Sequence, residues 1–315
     1  MNASLSLDLD NQWSYMKTHG DEGWQRYPSY LPALIPLTLD MMDDLGLKIT
    51  YFVVGLDADA PENADALGAI APAGHEIGNH SYNHEPWMHR RTANEIEDEI
   101  ARAEASITKA TGTRPRGFRG PGFVRSDEIH RILARRGYLY DASTLPTFIG
   151  PLARAYYFRT ARLQKGDLQE RSSLFGAWND GLLPNRPYRI NTPDGYLLQI
   201  PVTTMPGFRV PIHVSYLLYI ASRSTEAALA YFRFALSLCR QTRTTPSILL
   251  HPLDFLGADD CPELAFFPAM QMRSMDKLRF VRKALTLLSE RFEVGPLAET
   301  ALQAFPKPSQ HYEAG

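Results

Sequence analysis

The sequence predicts an α/β fold, a distorted (β/α) barrel of about seven strands that carries a long insertion. Two observations lead to this prediction. Short strand-like segments alternate with amphipathic helical segments along most of the chain, which is typical of parallel sheets covered by helices. These units follow one another without a break in composition, and 315 residues are enough for one barrel of about 250 residues with additions. We therefore expect a single domain over residues 1–315.

The first strand is predicted at residues 3–9, where leucine alternates with a polar residue. An alternation with a period of two is typical of a strand that is buried on one face only. Two carboxylates, Asp8 and Asp10, stand at the end of this strand, and a polar loop containing Trp13 follows. Because the active sites of such barrels lie at the carboxyl ends of the strands, Asp8 and Asp10 are candidates for chemistry.

The rest of the chain repeats the strand-and-helix pattern. The helix after Thr92 is the clearest, since Thr92 and Glu95 have the spacing of a capping box and isoleucines recur on one face up to Gly112. In order, we predict helices at 30–47, 61–71, 92–112, from 126 onward, 224–240 and 275–290, and strands at 49–55, 75–79, 117–123, 138–142, 196–204, 247–251 and 292–294.

The insertion is predicted at about residues 147–193, where the periodicity is poor and arginines mix with aromatic residues such as Tyr156 and Phe158. Two interpretations stay open. The segment packs as a solvated loop on the barrel, or it either covers the active site as a cap or lies at an anionic membrane surface, where such a mixture is favoured. The second interpretation predicts a lipid-bearing substrate.

The composition excludes several classes of protein. The 33 Lys and Arg residues against 35 Asp and Glu residues leave a net charge of −2, which argues against a nucleic-acid partner. Two cysteines, Cys239 and Cys261, are too few for a disulfide framework. The first residues have neither the basic region nor the apolar core of a secretion signal, so we expect a cytoplasmic protein, with peripheral contact to the inner membrane face as an alternative. The sequence makes no prediction about the oligomeric state.

A metal site is predicted from two histidines after the strand at 75–79. His80 and His84 are four residues apart, so they face the same way on a helical turn, and imidazoles are good ligands for zinc. Asp10 can supply a third ligand, because a parallel barrel gathers the ends of its strands at one mouth. Asp8 points to the same face as Asp10 and would stay free to accept a proton from water.

Five segments together carry a resemblance to a known family. In chain order they resemble the motifs of the NodB-type polysaccharide deacetylases, carbohydrate esterase family four, and the resemblance extends from Asp8 to about Phe255. The segments are DLD (8–10), HSYNH (80–84), RGPGF (119–123), DASTLP (141–146) and LLHP (249–252).

The resemblance implies a barrel of the NodB-homology type and a role for each matching residue. It implies that Asp8 is the catalytic base and that Asp10, His80 and His84 are the metal ligands. It implies that the metal is divalent, with Zn²⁺ first and Co²⁺, Ni²⁺ or Mn²⁺ as alternatives. The other implied roles are Arg119 holding the base, Gly122 donating to the oxyanion, His251 as the acid, Asp141 raising the basicity of His251, and Leu145 and Leu249 lining an acetyl pocket. Trp13 is a further candidate, for stacking on a sugar.

The implied function is metal-dependent removal of an N-acetyl group, with N-formyl second, from a sugar or glycoconjugate. Many members of the family have adjacent aspartates in the first motif, whereas here Leu9 separates Asp8 from Asp10. Relatives with this arrangement include enzymes that act on lipid-linked aminosugars, so an N-acylated sugar or a glycolipid is the expected partner. Two alternatives remain: hydrolysis of a non-sugar amide on the same fold, and a non-catalytic module that binds glycan or lipid.

Overall fold

The computed structural model describes residues 1–150 and 178–304. Its described part is built around one sheet whose strands are almost all parallel. In chain order the strands are β1 (Asn2–Asp8), β2 (Thr50–Val53), β3 (Glu76–Asn79), β4 (Gly117–Phe118), β5 (Tyr140–Asp141), β6 (Tyr188–Thr192), β7 (Gly195–Gln199), β8 (Ser247–Leu250) and β9 (Glu293–Gly295).

Helices lie between the strands and bury one face of each against the sheet. The predicted capping box of the longest helix is confirmed, since Thr92 and Glu95 cap each other's backbone. In chain order the helices are α1 (Gln12–His19), α2 (Leu31–Asp44), α3 (Gly55–Asp59), α4 (Ala64–Ile70), α5 (Ala93–Thr111), α6 (Asp127–Arg135), α7 (Val214–Ala221), α8 (Thr225–Gln241), α9 (Ser274–Ser289) and α10 (Leu297–Ala304).

The strand order confirms the predicted α/β barrel type, with one correction concerning closure. The order is β6-β7-β5-β4-β3-β2-β1-β8, with β9 beside β1 and only the β6–β7 pair antiparallel. No regular ladder joins β7 to β8 in the described residues, so the barrel is open there. Two hydrogen bonds bridge the gap instead: Thr203 N donates to Ser247 O at 2.9 Å, and Ser247 N donates to Thr203 Oγ1 at 2.8 Å.

β1 is the central strand of the site, and it is buried on both faces. The prediction that one of its faces is exposed is therefore wrong. Its leucines pack outward among the helices, and its polar residues line the inside of the barrel, where Ser6 has Thr50 and Leu249 as register partners. The alternation of leucine and polar residues therefore separates an apolar outer face from a polar inner face. Both faces are buried, because a parallel strand of a barrel is covered on both sides.

The floor of the barrel is closed by α10. Leu297 and Ala301 pack against Phe52 and Tyr140 from inside the sheet. The first backbone N–H groups of the helix are satisfied there, since Leu297 N donates to Thr50 Oγ1 and Ala298 N donates to Glu76 Oε2, each at 2.9 Å. The apolar floor leaves the opposite end, where the strands end in carboxylates and imidazoles, as the open mouth.

Several elements differ from the sequence prediction. The loop expected around Trp13 contains α1, and α7, α10 and β6 were not predicted. β6 lies inside the predicted insertion and pairs with β7, so the sheet includes the end of that segment. Its aromatic and basic core, including Tyr156 and Phe158, lies outside the described residues. The single domain stays a prediction. None of the described helices has the length and apolar character needed to cross a membrane.

Candidate active site

The end of β1 supplies the two carboxylates of the site. Leu9 N donates to Phe52 O at 2.9 Å, which continues the pairing with β2 past Asp8. The Asp10 carbonyl accepts a hydrogen bond from the Tyr30 hydroxyl. Asn11 then caps α1 by accepting from Gln12 N at 2.8 Å. These contacts fix the chain direction immediately after the strand, so both aspartates are held at the barrel mouth.

The end of β3 supplies the two histidines through a tight turn. His80 N donates to Val53 O at 2.9 Å, so His80 is still attached to the sheet. Ser81 and His84 have φ values of 63° and 51°, a left-handed conformation that non-glycine residues rarely adopt and that costs about 1–2 kcal/mol each. This turn brings His84 Nε2 to 2.9 Å and His80 Nε2 to 3.1 Å from the same oxygen, Asp10 Oδ1.

The Asp10, His80 and His84 cluster fits a divalent metal. The three ligand atoms all lie within 4.8 Å of one another, and all three residues are buried. His80 Nδ1 lies 2.6 Å from the carbonyl oxygen of Arg119, so Nδ1 carries a proton and Nε2 faces the Asp10 carboxylate. A metal ion would take the place of the Nε2 protons, and one carboxylate with two imidazoles is a donor set suited to zinc.

The charges of the cluster shift the pKa values of Asp10 and His80. Burial alone would raise the pKa of the Asp10 carboxyl, but the charge of His84 and hydrogen bonds with both histidines hold that pKa well below its ordinary value. Burial would lower the pKa of His80, and the nearby Asp8 and Asp10 carboxylates raise it instead. The site thus keeps Asp10 ionised and favours positive charge beside it.

Asp8 is held by Arg119 rather than by the histidines. Arg119 is buried, and its Nη1 donates to Asp8 Oδ1 at 2.6 Å and to Ser6 Oγ at 2.8 Å. Its Nε donates to Ala142 O at 3.1 Å, and the guanidinium lies over the Phe52 ring, 4.4 Å from the centroid. Only one carboxylate oxygen is used, so Asp8 Oδ2 remains on the side of His80, 4.0 Å from Nε2.

The segment after Arg119 forms a turn in which Gly122 is exposed. Gly122 and Phe123 have φ values of 58° and 64°, which places two successive residues in the left-handed region. Gly120 N donates to Ser143 Oγ at 2.7 Å, and Ser143 in turn donates to the Asp141 carboxylate. Asp141 therefore supports the turn that carries Gly122.

The expected role of Asp141, which was to raise the basicity of His251, is wrong. In the described residues its carboxylate bonds to Ser143 and to His130, whose Nε2 lies 3.3 Å away, and it has no contact with His251. The reason is strand parity. Tyr140 points into the barrel and donates to Glu76 Oε1 at 2.8 Å, so the next residue points outward to α6.

His251 lies beside Asp8 across the β1–β8 pair. The register pairs Leu250 with Leu7, and one further step along both strands brings His251 next to Asp8 on the inner face. Its Nδ1 lies 3.0 Å from Ser215 Oγ at the start of α7, and its backbone N–H donates to Asp254 Oδ2 at 2.8 Å. The base and acid predicted from sequence thus come from adjacent strands.

Comparison with known proteins points to the family whose motifs the sequence resembles. Residues 21–140 match the family model described as Polysaccharide deacetylase, a span that contains His80, His84 and Arg119 but not Asp8 or His251. Peptidoglycan deacetylase of Helicobacter pylori is 30% identical over 125 residues, 40% of this chain and 40% of that protein. Peptidoglycan-N-acetylmuramic acid deacetylase PdaA of Bacillus subtilis is 31% identical over 111 residues, 35% of this chain and 41% of that protein.

Residues 21–140 are therefore similar to the polysaccharide deacetylases, the family whose motifs the sequence resembles. The aligned stretches span only about two fifths of the length of these two relatives.

Solved structures support the fold over nearly the whole chain. A putative polysaccharide deacetylase from Mycobacterium smegmatis has a TM-score of 0.62 at 17% identity and covers 96% of this chain and 89% of its own. Puue allantoinase has a TM-score of 0.59 at 18% identity, and the match covers 98% of this chain and 92% of the allantoinase chain. Both likenesses concern the fold alone.

Two of the residues that the deacetylase family pattern assigns to an acetyl pocket lie on different parts of the mouth. Leu249 is buried on the inner face of β8, beside Ser6. Leu145 is half-buried in the loop after β5. A pocket formed by both stays a prediction.

Trp13 does not form a sugar-stacking surface. The side chain is 1% exposed, and its Nε1 donates to Asp57 Oδ1 at 2.8 Å. Its ring meets the His84 ring edge-on, with centroids 6.4 Å apart. The proposed stacking role is therefore wrong, because α1 folds Trp13 inward, where it packs against a metal-ligand candidate.

Sequence reasoning gave no role to several residues that contact the candidate site. Asp254 follows His251 by three residues, which is capping-box spacing and could have indicated its contact with the His251 backbone. His130, Ser215 and Asp57 come from three separate elements, and nothing in their local sequence indicates contact with the site.

Proposed function

We propose that this chain is a metal-dependent hydrolase that removes an N-acetyl group from a sugar or glycoconjugate. One observation carries the proposal: the end of β1 presents two carboxylates with different partners, Asp8 with Arg119 and Asp10 with His80 and His84. Two carboxylates in such different surroundings are suited to different tasks, proton transfer and metal binding. The similarity of residues 21–140 to the polysaccharide deacetylases supports the same reaction class.

Asp10, His80 and His84 would hold the metal, with Zn²⁺ first and Co²⁺, Ni²⁺ or Mn²⁺ as alternatives. Such a metal supplies polarisation of the amide carbonyl and a lower pKa for water. The protein's part is to keep the ligands in place. The Arg119 carbonyl fixes the tautomer of His80, and Trp13 packs against the ring of His84.

Asp8 is the proposed base. Arg119 occupies its Oδ1, so Oδ2 is left to accept the proton of the attacking water. Because Arg119 is also tied to Ser6 and Ala142, the carboxylate cannot turn without breaking a buried network. Orientation of this kind is a general contribution to proton transfer, since the base must lie within hydrogen-bond reach of its proton.

The negative charge on the tetrahedral intermediate needs donors, and the departing nitrogen needs a proton. The turn after Arg119 offers the backbone N–H of Gly122, and a glycine there lets the substrate approach the backbone closely. His251, one strand away from Asp8, is the proposed acid that protonates the leaving amine.

The substrate class is an N-acylated sugar. The two named relatives act on peptidoglycan according to their names, which supports an acetylated aminosugar for this chain. The separated aspartates of the first motif keep an N-formyl group and a lipid-linked sugar open as finer possibilities. The cytoplasmic location and the membrane contact stay predictions.

The test is release of acetate and formate by metal-loaded protein from N-acetyl and N-formyl aminosugars, nucleotide sugars, glycolipids and peptidoglycan fragments. We expect acetate from at least one N-acetyl sugar and none with Asp8→Asn. Asp98→Asn, an exposed position in α5, is the matched control and should keep full activity. Turnover of a cyclic amide alone, or glycan binding without any release, would replace the proposal by one of the two alternatives.

A further inference from the structure

Ser215 contacts the ring of the proposed acid, and a buried carboxylate holds the backbone of the same residue. The Oγ of Ser215, in the first turn of α7, lies 3.0 Å from His251 Nδ1. Asp254 is 1% exposed, and its Oδ2 accepts the His251 backbone N–H at 2.8 Å. The two contacts hold His251 from two elements, α7 and the turn after β8.

The chemistry of the three groups fixes the direction of their hydrogen bonds. Burial raises the pKa of the Asp254 carboxyl, while the charge of His251 and hydrogen bonds from the His251 backbone and the Ser215 hydroxyl lower it. An acid that gives up a proton from Nε2 is an imidazolium, in which Nδ1 is protonated as well, so at 3.0 Å Ser215 Oγ accepts from Nδ1–H. The single proton of Ser215 is then left for another acceptor, and the Asp254 carboxylate is the neighbouring one.

We propose that Ser215 is a positioning residue for His251: its hydroxyl donates to Asp254 and accepts the Nδ1–H of His251, so that Nε2 carries the transferable proton. This inference rests on the proposed function for its catalytic consequence, while the tautomer itself does not depend on activity. Asp141, the residue that the family pattern assigns to this task, points to α6 instead.

The other groups around His251 are consistent with this arrangement. His213, at the start of α7, has its ring centroid 6.3 Å from that of His251. Burial and the charge of His251 lower the pKa of His213 to about 3, so it stays neutral beside His251. Lys277 on α9 donates to the carbonyls of Leu253 and Leu256 at 2.7 and 2.8 Å and holds the turn that carries Asp254. Asp8 faces His251 from β1, and Tyr15 on α1 faces Asp254.

The first test is the pH dependence of acetate release by wild type, Ser215→Ala and Ser215→Thr. Ser215→Ala should lower kcat by roughly 10- to 100-fold, leave KM within about twofold and move the alkaline limb of the profile to lower pH, because the imidazolium loses its acceptor. Ser215→Thr keeps a hydroxyl, so the alkaline limb of its pH profile should lie where it does in wild type. Ser222→Ala, at the exposed end of the same helix, is the control and should match wild type. If the pH profile of Ser215→Ala superimposes on that of wild type, the inference is overturned.

The second test needs no substrate. ¹⁵N NMR of the histidine rings, with His251 assigned from its loss in His251→Gln, should show neutral His251 protonated on Nδ1 in wild type and in Ser215→Thr. Ser215→Ala should lose that preference. Protonation on Nε2 in wild type, or the same tautomer in all three proteins, contradicts the inference. If no acyl group is released from any substrate, the proposed function fails, and the NMR result alone decides the role of Ser215.

Discussion

Arg119 and Asp8 form a buried ion pair, with Nη1 2.6 Å from Oδ1, in which the arginine uses one nitrogen and the carboxylate one oxygen. Nη2 has no hydrogen-bond partner among the described residues. The pair is therefore arranged to fix Asp8 and to leave its second oxygen available, at the expense of a buried donor that a bidentate pair would satisfy.

The first prediction concerns the energy of this pair. Arg119→Met should lower the free energy of unfolding by about 3–5 kcal/mol, because it leaves the Asp8 charge buried without a partner. Asp8→Asn in the same background should recover part of that loss, since the uncompensated charge is removed. Denaturant unfolding of the two single variants and the double variant, all in chelator, measures the coupling. Additive effects of the two substitutions would show that the pair contributes nothing.

The second prediction separates the observed role of Asp141 from the expected one. Asp141→Asn and Ser143→Ala should both lower kcat by roughly 10-fold, because they loosen the turn that presents Gly122, and neither should move the alkaline limb of the pH profile. Ser289→Ala, an exposed serine at the end of α9, should have no effect. A shift of the alkaline limb in Asp141→Asn would indicate that Asp141 acts through His251 after all.

The third prediction concerns Trp13. Trp13→Phe removes the indole N–H that Asp57 accepts at 2.8 Å, and it should lower the free energy of unfolding by about 1–3 kcal/mol while KM for the sugar stays unchanged. Trp178→Phe is the matched control, since Trp178 is 63% exposed, and it should leave stability within about 0.5 kcal/mol. A large rise in KM with unchanged stability would restore the stacking role.

The fourth prediction follows from burial of Asp57. Burial raises the pKa of its carboxyl to about 7, against hydrogen bonds from Asn11 and Trp13 that lower it. The unfolded chain releases this proton near pH 4, so between about pH 4 and 7 the folded state binds more protons and stability falls as pH rises. Asp57→Asn should remove this loss and be more stable than wild type by about 1–3 kcal/mol at pH 8 in chelator, with a smaller difference at pH 4.

Unfolding curves at pH 4, 6 and 8 measure this difference, with Asp98→Asn as the exposed control. A difference between Asp57→Asn and wild type that does not change with pH would show that Asp57 ionises normally in the folded protein.

The local pattern was enough to predict most of the barrel and to bring out the two histidines of the candidate metal site. Continuous apolar runs such as β2 and the capping box of α5 are local signals, and His80 and His84 are close in sequence. α1 was not predicted because its apolar and polar residues are not segregated along it, and its packing depends on contacts such as Trp13 with Asp57.

Long-range partners could not be predicted for the same physical reason. Asp141 was assigned to His251 by motif order alone, but the parity of a two-residue strand decides which way its side chain points. Ser215 meets His251 only because α7 packs against the turn after β8, a contact between segments 36 residues apart.

The central claim is that Asp10, His80 and His84 bind one divalent metal on which amide hydrolysis by Asp8 depends. Acetate release from an N-acetyl sugar, measured while Zn²⁺ is added back to chelator-treated protein, tests it most directly. We expect no release without metal, a rise that stops at about one equivalent per chain, and no release at any metal concentration from His84→Ala or Asp8→Asn. Full acetate release by the metal-free protein, or by Asp8→Asn, would contradict the account.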